Sequence, residues 1–153
     1  MTTPSPDSLR VQGTPPRPAF WHAQGPVVTV VALGGGAGAA ARYAASLWWP
    51  PHPGGFPWTT LGVNVIGCAV IGVFMVVITE FRAAHRLLRP FFGTGVLGGF
   101  TTFSTYAVDI QKLAGGGHVR TGLTYLAATP LAALTAVWLA AWSTRRVLKW
   151  RQP

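Results

Sequence analysis

The chain has 153 residues, of which only 10% are charged, where a soluble globular domain carries roughly 25%. Half of the residues are hydrophobic, and the uncharged stretch 121–144 alone exceeds the ~20 apolar residues that cross a bilayer, which excludes an ordinary water-soluble enzyme. Twelve Lys and Arg against three acids give a net charge of +9, a sign that must be read by position, and the single Cys68 excludes an internal disulfide and has no second thiol or His at metal-ligand spacing.

Residues 1–26 are proline-rich, with scattered Ser, Thr, Gln and Arg and no apolar run, a composition that predicts a disordered tail without the core of a signal peptide. From 27 to 79 the only formal charge is Arg42, and the Pro- and Gly-rich segment 50–57 divides this stretch into two spans, about 27–49 and 58–79. A basic connector holding Arg82, His85, Arg86 and Arg89 follows. After Pro90 a third apolar segment runs over 90–111, a fourth over 120–143, and a basic tail over 144–153. A helix rising ~1.5 Å per residue covers ~33 Å in 22 residues, so the pattern predicts an all-α membrane protein with four transmembrane helices and short loops.

The cations orient it. With both termini and the connector on one side, that side holds Arg10, Arg17, Arg82, Arg86, Arg89, Arg145, Arg146, Lys149 and Arg151, and the other only Lys112 and Arg120. The positive-inside tendency therefore predicts a multi-pass protein of the cell membrane with cytoplasmic termini, and Trp48, Trp49 and Trp58 suit the opposite water interface. The positive charge reads as topology and attraction to anionic membrane lipid; a nucleic-acid partner is not expected without a soluble domain to carry it.

Within the spans, small and polar residues mark candidate sites. Gly34, Gly35, Gly36 and Gly38 make a face nearly without side chains, suited to close helix packing, and it ends at Arg42. A guanidinium there costs ~2.5–3.5 kcal/mol at the membrane centre, so Arg42 either reaches the headgroups or serves a polar vestibule that attracts anions. In the second span Thr59, Thr60 and Asn64 share a face that Gly67 and Cys68 continue. The Asn64 amide needs partners, from a helix interface or from an ion and its water. The third span holds Gly93, Gly95, Gly98 and Gly99, then Thr101, Thr102, Phe103, Ser104 and Tyr106. This makes poor continuous helix, so the backbone is expected to open near 98–101 and to free carbonyls for a cation such as sodium. Phe103 and Tyr106, three apart, project to one side, where ring edges favour an anion that has shed water or simply pack together. In the fourth span Thr121, Tyr125 and Thr129 form a hydroxyl stripe that either hydrates a narrow path or bonds to its own helix, and Pro130 predicts a kink beside it.

No catalytic constellation is present: Asp7, Glu80 and Asp109 lie in unrelated parts of the chain, with no metalloprotease, hydrolase or nucleotide-loop motif, so an enzyme is not expected. A proton-coupled exporter lacks its central carboxylate.

Three blocks carry a family resemblance: the glycine-rich run ending in Arg42-Tyr43, the segment Thr60-Leu61-Gly62-Val63-Asn64-Val65-Ile66-Gly67, and Thr101-Thr102-Phe103-Ser104-Thr105. Together they resemble the Fluc family of fluoride channels, also called CrcB proteins. The resemblance implies an antiparallel, dual-topology-type dimer with the third helix of each subunit broken. It implies two fluoride pathways between subunits and one structural sodium ion, Na+, held by the carbonyls of Gly98 and Thr101. It assigns Phe103 and Tyr106 as pore rings, with Thr102 and Ser104 beside them, Asn64 as the pore amide, Thr60 as a neighbouring hydroxyl, Tyr125 and Thr129 as the hydroxyl track, and Arg42 as the vestibule cation. Tyr106 departs from a position commonly Phe, and Asp109 from one usually Glu.

The function these readings imply is passive export of fluoride, which lowers its concentration and toxicity in the cytoplasm. Four short helices are too few to enclose a wet pore, which by itself favours a pathway shared with a second chain. The cation bias argues for one fixed orientation, so the partner is either the chain itself or an inverted paralogue. The rival readings are a non-conducting small membrane scaffold subunit and a small-solute exporter.

Overall fold

The computed structural model describes residues 20–80 and 86–150, with side chains from residue 24 onward. Every element among the described residues is helical: α1 (Phe20–Trp48), α2 (Trp58–Glu80), α3, α4 (Ser104–Gly115) and α5 (Val119–Trp150). α3 is wound with π geometry over Arg89–Leu97 and closes in a single α-turn, Gly98–Phe100.

α1, α2 and α5 are each long and apolar enough to cross a bilayer, with 25, 23 and 32 residues in their candidate spans. At ~1.5 Å per residue the shortest covers ~35 Å, and α3 with α4 supplies a fourth crossing in two pieces. The expectation of four helices with the third interrupted therefore holds.

Glycine sets the way the crossings meet. Gly34 lies against Phe91 and Gly95, and Gly38 against Val96 and Phe100, so α1 and α3 run in the same direction, backbone to backbone. A Cβ at Gly38 would strike the Val96 carbonyl, and one at Gly99 the Gly35 carbonyl. This is the small-residue packing of membrane helices, where close approach replaces hydrophobic burial as the source of attraction. Gly72 plays the same part on α2, where a Cβ would sit 2.7 Å from the Val137 carbonyl of α5. Leu61 packs on the cluster of Tyr106, Leu113 and Tyr125, so α2 and α5 also run parallel to each other. The start of α1, the end of α2 and the end of α5 consequently share one end of the bundle.

Large apolar side chains face outward: Trp48, Leu33, Leu131, Leu134 and Trp138 are all more than half exposed, whereas Val63, Val76, Ile78 and Leu97 are buried. A surface of that kind fits lipid or another subunit, not water.

Two boundaries differ from the sequence reading. α1 begins at Phe20, inside the stretch expected to be disordered, because Pro26 with its fixed helical φ is accommodated within it. α5 runs to Trp150, through most of the basic tail assigned to 144–153, since cations in a last turn oppose the negative end of the helix dipole. The disorder expected for residues 1–19, and Arg10, Arg17, Arg82, His85 and Arg151, lie outside the described residues.

The packing predicts that Gly38→Ala lowers the thermal stability of the purified protein by about 1–3 kcal/mol, the usual cost of overpacking. Gly36→Ala, whose Cβ would meet nothing within 4 Å, should leave the melting curve in place.

Candidate functional site

The backbone leaves the helix at Thr101, with φ −74° and ψ 157°, and re-enters it at Phe103, with φ −91° and ψ −35°. Gly98 remains helical at φ −65°, ψ −34°, so the opening starts at the far end of the segment 98–101 in which it was expected. The last α-turn survives because Leu97 O accepts from both Thr101 N, at 2.9 Å, and Thr101 Oγ1, at 2.8 Å.

Asn64 of α2 holds the break open. Its Oδ1 accepts from Thr102 N at 2.8 Å, and its Nδ2 donates to Thr102 O at 2.9 Å, so one side-chain amide binds both backbone groups of the residue between α3 and α4. In a continuous helix the Thr102 N–H would serve the Gly98 carbonyl. The Thr105 N–H, which would serve the Thr101 carbonyl, goes instead to Thr102 Oγ1 at 3.1 Å, a capping bond for the open first turn of α4. Across the break the Gly99 and Thr102 carbonyls take side-chain donors instead, from Arg42 and Asn64, whereas those of Gly98 and Thr101 have lost theirs to the Asn64 and Thr102 side chains. Gly98 is exposed and Thr101 half-buried, so both oxygens belong to residues at the surface of the subunit.

α2 presents the rest of its polar face to the same place. Thr60 Oγ1 donates to Asp109 Oδ2 of α4 at 2.8 Å, and the missing Cβ of Gly67 makes room for Thr101 Cγ2. Thr59 departs from the face it was expected to share: its hydroxyl bonds to the Trp49 carbonyl across the α1–α2 turn. Arg42 donates from Nε to the Gly99 carbonyl at 3.2 Å, which ties α1 to the end of α3. It also lines a small pocket of about 140 Å³ with Thr60, Thr102 and Thr105, so its charge stays at the break, while its remaining N–H groups are uncommitted among the described residues.

On the other side of the break lies a groove of about 530 Å³ lined by Asn64, Thr102, Phe103, Tyr106 and Thr129. The Phe103 ring is 79% exposed at the subunit surface, and Tyr106 is 8% exposed. Their centroids are 5.7 Å apart; Tyr106 is 5.2 Å from Tyr125, which meets Phe56 edge-on at 5.3 Å. A row of aromatic rings therefore leads from the surface into the bundle. Ser104 sits at the outer end, exposed, with its Oγ 3.3 Å from Thr102 Oγ1.

The hydroxyls of α5 fall into two groups, and Tyr125 and Thr129 of the expected stripe differ from the threonines outside it. Thr124, Thr135 and Thr144 bond to carbonyls four residues back, the ordinary fate of a membrane threonine. Tyr125 Oη and Thr129 Oγ1 do not: both are buried and neither has a hydrogen-bond partner. Thr60, Thr129 and Asp109 are the polar neighbours of the Tyr125 hydroxyl. A buried hydroxyl without a protein partner calls for one from water or an ion.

One break thus gathers Asn64, Gly98, Thr101, Thr102 and Phe103, with Arg42 and Thr60 on one flank and Tyr106 and Thr129 on the other, Tyr125 lying behind them. Sequence reasoning passed over Asp109 as a member. Its signal was a lone carboxylate in an otherwise apolar stretch, which must find a partner there.

The profile of the family described as CrcB-like protein, Camphor Resistance (CrcB), matches residues 29–141. The chain belongs to the CrcB family. The match takes in every element of the break and the crossings that frame it. Among curated CrcB relatives, Fluoride-specific ion channel FluC 1 of Streptomyces coelicolor is 75% identical over 93% of this chain and 92% of its own. Fluoride-specific ion channel FluC 2 of Streptomyces avermitilis is 68% identical over 84% and 85%, and FluC 2 of Nocardia farcinica is 54% identical over 77% and 87%.

Removing the clamp should unseat the break. Asn64→Ala leaves the Thr102 N–H and carbonyl without partners and is expected to cost about 1–3 kcal/mol in a detergent melt. Thr59→Val, which gives up a single hydrogen bond, to the Trp49 carbonyl, should cost less, about 0.5 kcal/mol.

Proposed function

We propose that this chain forms a fluoride-specific channel, exporting the anion passively across the cell membrane. The observation that carries the reading is the groove at the break, lined by the Asn64 amide, the Phe103 and Tyr106 rings and the buried, unpartnered Thr129 hydroxyl; the names of its CrcB relatives support the same ion. Hydrogen fluoride enters a cell as a neutral acid and dissociates where the pH is higher, so the trapped anion runs outward down its own gradient. A negative interior adds ~2.3 kcal/mol per charge per 100 mV in the same direction, so neither nucleotide nor proton coupling is required.

Each group has a role in this path. Arg42 draws the anion toward the small pocket beside Thr60. Asn64 keeps a second amide hydrogen and a second lone pair beyond its bonds to Thr102, and that hydrogen is a donor for a partly dehydrated anion. Phe103 and Tyr106 offer positive ring edges, Thr102 and Ser104 offer hydroxyls at the outer end, and Tyr125 and Thr129 continue the donors inside.

A structural sodium ion fits the Gly98 and Thr101 carbonyls, whose helical donors are diverted to the Asn64 and Thr102 side chains. When bound, it supplies a fixed positive charge that neutralises those oxygens. Two carbonyls cannot replace a hydration shell, and both residues lie toward the surface, so a second chain in the inverted orientation would complete the set. The same partner would cover Phe103, whose exposure leaves the groove open on that side.

The partner is a paralogue of opposite orientation, since nine cations at one end against two at the other hold this chain one way, with its termini in the cytoplasm. A C-terminal reporter in cells should therefore appear on the cytoplasmic side alone; equal populations on both faces would establish the homodimer instead.

Efflux from liposomes, with the paralogue co-purified if the chain alone is silent, tests the function. Fluoride is expected to leave at a rate far above chloride, Phe103→Ile to slow it about tenfold or more at equal folded protein, and replacement of sodium by an organic cation to abolish it. Equal fluoride and chloride rates would contradict the reading.

A further inference from the structure

α5 contains Pro130, and a proline has no N–H to give to the carbonyl four residues earlier. That carbonyl belongs to Leu126, inside a membrane-spanning helix where an unpaired oxygen is costly. Its donor comes from another crossing: Tyr106 Oη of α4 donates to Leu126 O at 2.7 Å. The residue making this bond also lines the groove and stands between Phe103 and Tyr125 in the row of rings. Phe at this position, together with Pro130, would leave the Leu126 oxygen bare.

We propose that Tyr106 is a positioning residue whose hydroxyl stands in for the missing Pro130 N–H on the Leu126 carbonyl, fixing the Tyr106 ring in the groove wall beside Phe103. The hydroxyl is then spent on the protein and does not meet the ion; only the ring edge does. Tyr106 and Pro130 form a matched pair: the proline creates the acceptor, and the tyrosine uses it to tie α4 to α5 at the level of the buried Tyr125 and Thr129 hydroxyls. The functional part of this inference rests on the fluoride reading above, whereas the bond itself does not.

The pair makes an unusual mutational cycle possible, because Pro130→Ala restores the very N–H that the tyrosine replaces. Fluoride efflux per folded protein and thermal melting are measured for the native chain, Tyr106→Phe, Pro130→Ala and the double variant. With Pro130 in place, Tyr106→Phe should slow efflux by about fivefold or more and lower the melting temperature, since a buried acceptor is stripped. In the Pro130→Ala background the same change should alter efflux by less than about twofold and leave melting in place, because the helix now satisfies Leu126 itself. Equal effects of Tyr106→Phe in both backgrounds, or none in either, would overturn the proposal. Coupling in melting without coupling in efflux would also overturn it, since the bond would then hold the fold without setting the ring. If the native chain, together with its inverted partner, passed no fluoride, the functional reading would fail on its own, and the melting cycle would still decide whether the bond exists.

Discussion

One side-chain amide decides the shape of this molecule's centre. Asn64 offers an acceptor and a donor in the spacing of a backbone peptide, and Thr102 accepts the substitution at 2.8 and 2.9 Å. In lipid a backbone cannot leave a helix unless its polar groups are met by other protein groups. Asn64 meets those of Thr102, and the consequence appears one turn earlier and one residue earlier, at the carbonyls of Gly98 and Thr101. The interruption is thus an exchange of partners: the donors are redirected to side chains, and the Gly98 and Thr101 oxygens lose their place in the helical ladder.

The surroundings make that exchange possible. Gly67 lacks the Cβ that would collide with Thr101, and Gly38 and Gly99 let α1 lie directly on α3, which brings Arg42 to the Gly99 carbonyl. The glycines therefore serve packing, and through packing they place a cation beside the break. The carboxylate of Asp109 is held by Thr60, one helical turn from Asn64, so the same face of α2 that opens α3 also anchors α4. Aromatic rings and hydroxyls then divide the work beyond the break, with Phe103 and Ser104 at the exposed end and Tyr125 and Thr129 at the closed one.

Much of this was legible in the chain itself. Exclusion of charge marked the four crossings, and glycines followed by hydroxyl residues marked the break, because both signals come from the cost of polar groups in lipid. The four-residue spacing of Thr60 and Asn64 with Gly67 beyond identified the face that meets α3. Other features need contacts across the fold. The π winding of Arg89–Leu97 carries no residue pattern that separates it from an α-helix. Thr59 turns to Trp49 because the α1–α2 turn brings that carbonyl within reach. The ends of α1 and α5 overrun their apolar cores, since helices continue past the membrane wherever their backbone is not obstructed. The tie from Tyr106 to Leu126 spans 20 positions, and its one sequence clue is a proline, which names the orphaned carbonyl but not its partner.

Amide hydrogen exchange at Thr102 measures the central exchange of partners most directly. With Asn64 clamping the break, the Thr102 N–H should be protected in the native protein and should exchange at a rate close to that of an open amide in Asn64→Ala, while amides in the body of α2 keep their protection. A Thr102 amide equally protected in both proteins would mean that it bonds within its own helix, with the Gly98 carbonyl satisfied and no break for an ion to occupy.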